Sequence, residues 1–155
     1  MRIRKRKILV VDDEPEITFT LSSILKERGF EVMPFNDPLL ALQSFKPRYY
    51  ELVILDVRMP KMDGFELYQQ LKKKDNSVKV CFLTAVSEFR EYEQYKGEVH
   101  PKLNERHFIA KPVSNDELIR KVNEMLTNDN HHLSLYCDLA SVFFLNLSLC
   151  FNNFL

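Results

Sequence analysis

Apolar residues in this chain fall into short runs, separated by stretches in which they recur every three or four positions. The runs are ILVV (8–11), ELVIL (51–55), VKVCFL (78–83) and HFIA (107–110). Such a run is what a strand needs when both of its faces are buried in a parallel sheet. FEVMPF (30–35) alternates instead, and Pro34 near its end removes a ladder donor, so it reads as an edge strand. The segments between have helical period. Pro15 suits the first turn of one, whose Ile17, Leu21, Ile24, Leu25 and Arg28 share a face, and Gly29 stops it. A second helix runs from about Pro38 to Phe45. A third opens at Asp63, where Glu66 completes a capping box, and closes on Lys72, Lys73 and Lys74, the charge sign that a helix C-terminus favours. SEFREYEQYK (87–96) reads as a fourth helix. Ser114 and Glu117 form the capping box of a fifth, stapled by Val113 and Leu118 and ending near Leu126. Strand and helix alternate five times, which predicts α/β architecture with a parallel sheet between helical layers.

Composition narrows this little further. At 155 residues, 45% of them hydrophobic and 28% charged, the chain is long enough for one domain with a real core. Lysine plus arginine and aspartate plus glutamate both number 22, so there is no basic excess of the kind that direct nucleic-acid binding usually needs. The three cysteines, Cys81, Cys137 and Cys150, have neither disulfide-framework nor zinc spacing, which suits a reducing, cytoplasmic setting. The basic start RIRKRK precedes only four apolar residues, too few for a secretory leader, and reads as a solvated arm. The expected domains are 1–128, a linker at 129–132, and an apolar extension at 133–155.

The chemistry is concentrated where the strands end. In open α/β sheets, ligands sit beyond the carboxyl ends of the strands, where strand order reverses. Strand one runs into Asp12 and Asp13, strand three into Asp56, strand four into Thr84 and strand five into Lys111. In the flavodoxin-like order 2-1-3-4-5, these residues converge on one crevice of a (βα)5 three-layer sandwich. An acid at a strand end is most often a helix cap, but this set at four strand ends is a stronger signal than any member alone. Three carboxylates together repel, so one of them takes up a proton unless a cation joins them. Mg²⁺, held by one or two carboxylates plus other oxygens, fits better than a transition metal, since His107 is the one histidine or cysteine near those ends. A carboxylate beside such an ion can attack a phosphoryl group. Glu14 reads separately, as a first-turn charge favoured by the helix dipole.

VVDDEP, LDVRMPKMDG, LTA (83–85) and FIAKP (108–112) resemble, in order and spacing, the response-regulator receiver domain of two-component signalling, over roughly residues 5–127. The resemblance implies that Asp56 is the phospho-acceptor. It implies Mg²⁺ held by Asp12, Asp13, Asp56 and the main-chain carbonyl of Arg58, whose side chain could reach over the phosphoryl group. Thr84 matches the switch hydroxyl, Ala85 the small neighbour that leaves access for a donor, and Lys111 the lysine that pairs with the phosphoryl group. Pro112 matches a proline usually in cis, and Phe108 an aromatic switch that equally suits the core. The implied function is a stand-alone response regulator. It takes its phosphoryl group from a histidine kinase or phosphotransfer protein in a phosphorelay. It then engages a protein target or a second copy through the fourth helix, fifth strand and fifth helix. It would assist its own phosphorylation without turning over an external substrate.

Two features depart from the pattern. The connection from Thr84 to Phe108 is long and polar, with KLNERH where many receivers carry Gly-Ala. The tail, LSLYCDLASVFFLNLSLCFNNFL, is long enough to span a bilayer but holds Asp138, Asn146, Asn152 and Asn153. Packing on the domain or a partner, membrane association, and a poorly ordered extension are its three readings. Two rival functions also stand: an interaction module with an idle site, and an aspartyl-nucleophile phosphohydrolase. The second wants an acid where Arg58 lies.

Overall fold

The computed structural model describes residues 4–85, 103 and 105–127. They belong, but for the last two residues, to the first of the chain's two units, Met1–Met125. The predicted helix over 87–96, most of the polar connection and the tail lie outside the described residues.

Five parallel strands form one sheet: β1 (Lys7–Val11), β2 (Glu31–Phe35), β3 (Leu52–Asp56), β4 (Lys79–Ala85) and β5 (Phe108–Lys111). Their order is β2-β1-β3-β4-β5, the arrangement expected from the sequence. β2 is the edge strand, and Pro34 sits opposite Val10 in its register with β1. β3 and β4 run further than the apolar runs alone suggested. Asp56 and Thr84 therefore lie inside their strands, with Asp56 opposite Leu83. Alternation along each strand gives the sheet two buried faces. Leu9, Val11, Val53, Leu55, Val80 and Phe82 belong to one core cluster, covered by Ala41, Leu67 and Leu71 from the second and third helices. Ile8, Val10, Leu52, Ile54, Cys81 and Leu83 are equally buried and point the other way.

Four helices are described: α1 (Pro15–Glu27), α2 (Pro38–Ser44), α3 (Gly64–Lys74) and α4 (Asn115–Thr127), the last being the fifth of the sequence reading. Pro15 does open α1, and Gly29, at φ +88°, ends it in the left-handed region that glycine adopts freely. The buried stripe of α1 is Thr18, Leu21, Ser22 and Leu25. Ile17 and Ile24 of the expected face are only half-buried, so the helix is rotated slightly from its apolar pattern. The Asp63–Glu66 capping box of α3 is complete. Ser114 Oγ accepts the Glu117 N–H at 3.3 Å to start α4. The long connection returns to the core at Leu103, which is buried, before a short 3₁₀ turn at Glu105–His107.

Candidate functional site

β1 and β3 are neighbours, and the connections leaving them diverge, so a crevice opens at their carboxyl ends. Asp12 follows β1 directly and is fully buried, with its N–H bonded to the Phe35 carbonyl at 3.2 Å. Its Oδ1 accepts the Glu14 N–H at 2.9 Å, which turns the chain into α1. Its Oδ2 accepts from Lys111 Nζ at 2.8 Å. The same ammonium lies 2.5 Å from Asp56 Oδ1. One lysine from the end of β5 thus bridges acids from β1 and β3, as the strand-end reading anticipated. The peptide bond after Lys111 is cis, as expected for Pro112.

Burial decides the charge state of this cluster. Loss of water around Asp56 raises its carboxyl to about 6, although Lys111 pulls it down, and Asp12 adds to the rise. Burial would lower the Lys111 ammonium, but hydrogen bonds and charge from Asp12 and Asp56 outweigh that and raise it. At neutral pH Asp56 is mostly ionised beside the Lys111 ammonium, against the cost of its burial, a state that a further positive charge would relieve.

Asp13 is half-buried beside Asp12, and Arg58 is exposed. The Arg58 N–H bonds the Asp56 carboxylate, so this loop meets the site through its backbone. Thr84 is buried at the end of β4, and its hydroxyl donates to the Ala85 carbonyl at 3.1 Å. Phe108 is buried in the core, stacked on Phe82 at 5.3 Å and tilted against Phe65 at 6.3 Å. The core reading of that ring is therefore realised. Among the described residues, no group of three or more His, Cys, Asp or Glu side chains is placed to hold a metal ion. A hard ion that keeps several waters needs only one or two carboxylates. Buried Asp12 and Asp56, with half-buried Asp13 next to Asp12 in the chain, are oxygen donors of the kind Mg²⁺ takes.

Several residues that shape the site escaped the sequence reading. Gly64 is required by contact, because a Cβ there would lie 2.2 Å from the Asp56 carbonyl oxygen. Asn36 Nδ2 donates to the Asp12 carbonyl at 2.8 Å and to Thr18 Oγ1 at 2.9 Å. Its one signal in the sequence is its place just after β2, on the strand beside β1. Glu14 proves to be the N-cap residue, not a first-turn charge, and its Oε1 is 3.7 Å from Lys111 Nζ. Lys61, at φ +72°, pairs with Asp37, and that lysine is the main cause holding the Asp37 carboxyl below its ordinary value.

The sheet order and this acidic crevice define a doubly wound, flavodoxin-like α/β domain with its site at the switch point. A family model described as the response regulator receiver domain matches residues 8–123. The chain belongs to that family, the receiver domains of two-component signal transduction. A probable transcriptional regulator, ycf27, of Cyanophora paradoxa is 36% identical over 126 residues, covering 81% of this chain and 50% of that protein. A transcriptional regulatory protein CpxR homolog of Haemophilus influenzae is 38% identical over 120 residues, covering 77% and 50%. The chain therefore spans about half the length of these curated relatives. Among solved structures, the response regulator TrrA of Thermotoga maritima, in complex with Mg²⁺-BeF, aligns with TM-score 0.63 at 34% identity. That alignment covers 78% of this chain and 99% of the neighbour. Among the described residues, no helix is long and apolar enough to cross a membrane.

Proposed function

We propose that this domain accepts a phosphoryl group on Asp56 from a phosphohistidine of a kinase or phosphotransfer protein. The observation that carries the proposal is the Lys111 ammonium held between Asp12 and Asp56 at 2.8 and 2.5 Å, at the crevice where the receiver family performs this chemistry. An Asp56 carboxylate oxygen attacks phosphorus, the P–N bond breaks, and the imidazole leaves with a proton. The product is an acyl phosphate. With a carboxyl pKa of about 6, Asp56 is mostly ionised at neutral pH and so available as nucleophile. Asp12, Asp13, Asp56 and the Arg58 carbonyl would hold Mg²⁺, which would supply positive charge to the transferring oxygens. Lys111 then exchanges its Asp56 contact for a phosphoryl oxygen.

In the phosphorylated state, Thr84 turns its hydroxyl to the phosphoryl group and Phe108 repacks with it, changing the face formed by β5 and α4. That is a population shift, driven by contacts the phosphoryl group makes in only one packing. The switched face engages a protein partner or a second copy in the cytoplasm, and the domain acts on no external substrate. Arg58, exposed beside the crevice, sets the phosphoryl lifetime. Incubation with Mg²⁺ and phosphoramidate should add the mass of one phosphoryl group, and Asp56→Asn should add none. A wild-type protein that gains no mass refutes the reading and leaves an interaction module with an idle site. Sustained release of phosphate from external esters would point to a phosphohydrolase.

A further inference from the structure

The loop from β3 to α3 carries Arg58 and holds an unfavourable conformation. Lys61 sits at φ +72°, and the Met62 N–H bonds the Pro60 carbonyl at 2.9 Å, closing a three-residue turn of the rarer hand. A lysine has no intrinsic preference for that region, so the surroundings must hold it there. Its Nζ reaches Asp37 Oδ2 at 2.5 Å. Asp37 is itself fixed as the N-cap of α2, where its Oδ1 accepts Leu39 N–H at 2.8 Å and Leu40 N–H at 3.2 Å.

The residue next to Asp37 grips the opposite wall. Asn36 donates to the Asp12 carbonyl at 2.8 Å and to Thr18 Oγ1 at 2.9 Å. Two consecutive residues of one connection therefore fasten both sides of the crevice. Asn36 holds the acidic wall that follows β1, and Asp37, through Lys61, holds the loop whose backbone reaches Asp56. Neither side chain reaches into the crevice in place of a ligand.

We propose that Asn36 and Asp37 form a clamp that sets the gap between the acidic wall and the Arg58 loop, with Lys61 as its catch, and thereby tunes the affinity of the site for Mg²⁺. These are positioning residues, and the inference rests on the Mg²⁺ site of the proposed function. An octahedral ion with short bonds tolerates little error in ligand spacing, so loosening one wall costs affinity without removing a ligand.

The test is titration calorimetry of the full chain with MgCl₂. Asp37→Asn keeps a good N-cap but loses the charge pair, and Lys61→Met loses the same pair while keeping the stem. Each should weaken Mg²⁺ binding about three- to fivefold, the scale of one exposed ion pair, with thermal unfolding of the metal-free protein little changed. Lys61→Arg, which restores the bridge, should bind within about twofold of wild type. The inference is overturned if Asp37→Asn and Lys61→Met bind as wild type does. Equal losses in Lys61→Arg and Lys61→Met overturn it as well, because the loss would then not follow the ion pair. A wild-type chain that takes up no Mg²⁺ fails earlier, at the site itself, and is distinguishable because every variant is then silent.

Discussion

Replacing Asp56 by Asn should make the metal-free protein more stable at neutral pH, and the gain should disappear in acid. Asparagine keeps the shape of the side chain but cannot ionise. In the wild type, burial raises the Asp56 carboxyl from 3.8 to about 6 in the folded state. The folded chain therefore holds this proton more tightly than the unfolded chain does. Below about pH 3 both states are protonated and the residue costs nothing. As pH rises from about 3 to 7 the unfolded state ionises first, and wild-type stability falls. Above about pH 7 both are ionised and the penalty is constant. A shift of about two units corresponds to ~3 kcal/mol, or nearer 2 once water at the crevice mouth is allowed for. Lys111 is charged throughout this range, so losing its contact with Asp56 adds a constant offset and no slope. The assay is urea unfolding followed by far-UV circular dichroism at several pH values from 4 to 8 in EDTA, for wild type and Asp56→Asn. The stability difference should grow by about 2–3 kcal/mol between pH 4 and 7 and then level off. Adding Mg²⁺ at neutral pH should recover much of it in the wild type alone, because the ion binds the folded, ionised site. A difference that stays flat across the range, or runs the other way, refutes the burial argument.

Other consequences are as open to measurement. Gly64→Ala forces a methyl group into the Asp56 carbonyl oxygen, 2.2 Å away, and should lower stability by about 2–4 kcal/mol in urea unfolding while weakening Mg²⁺ binding. Lys111→Met leaves Asp12 and Asp56 as buried acids without their bridge. It should cost about 3–5 kcal/mol at neutral pH in EDTA, and Mg²⁺ titration should restore part of the loss in the same melts. Asp75 is buried and accepts from Arg48 N–H at 2.7 Å, Ser77 N–H at 2.9 Å and Ser77 Oγ at 2.5 Å. Burial opposes ionisation there, but these donors prevail and hold the carboxyl below its ordinary value. Its contribution is therefore present above the unfolded pKa and lost as pH falls through the lowered one. Asp75→Ala should destabilise by about 1–3 kcal/mol at pH 7, and by less in acid denaturation series.

The parts of this molecule that were readable from its sequence are those that local physics decides. A short apolar run bounded by turn residues suits a strand buried on both sides, and β1, β3 and β4 carry such runs. Caps are set by residues within a turn of one another, and so Pro15, the Asp63–Glu66 box and the Ser114 cap lie where expected. The acids and the lysine could be read because a parallel sheet converts strand ends into neighbours. Asp12 and Lys111 are 99 positions apart and still meet at 2.8 Å. What the pattern left out depends on spacing between elements. The rotation of α1 follows from buried Thr18 and Ser22, which no hydrophobic count would select. Gly64 looks like an ordinary residue at the start of a helix until the strand end is placed against it. Leu103 sits within a polar stretch yet fills a place in the core.

Asn36 and Asp37 show the same limit at the site. Asp37 is the N-cap of α2, and Asn36 lies in the bend just before it. Their further roles exist because the order β2-β1-β3 brings the end of the edge strand beside both walls of the crevice. Asn36 uses its amide on the backbone that carries Asp12, and Asp37 spends its second oxygen on a lysine in a strained turn. Ligands for a cation are chosen by charge and can be found by looking for acids. The residues that hold those ligands apart are chosen by geometry. A cap with one oxygen to spare becomes part of the site when the fold carries it there.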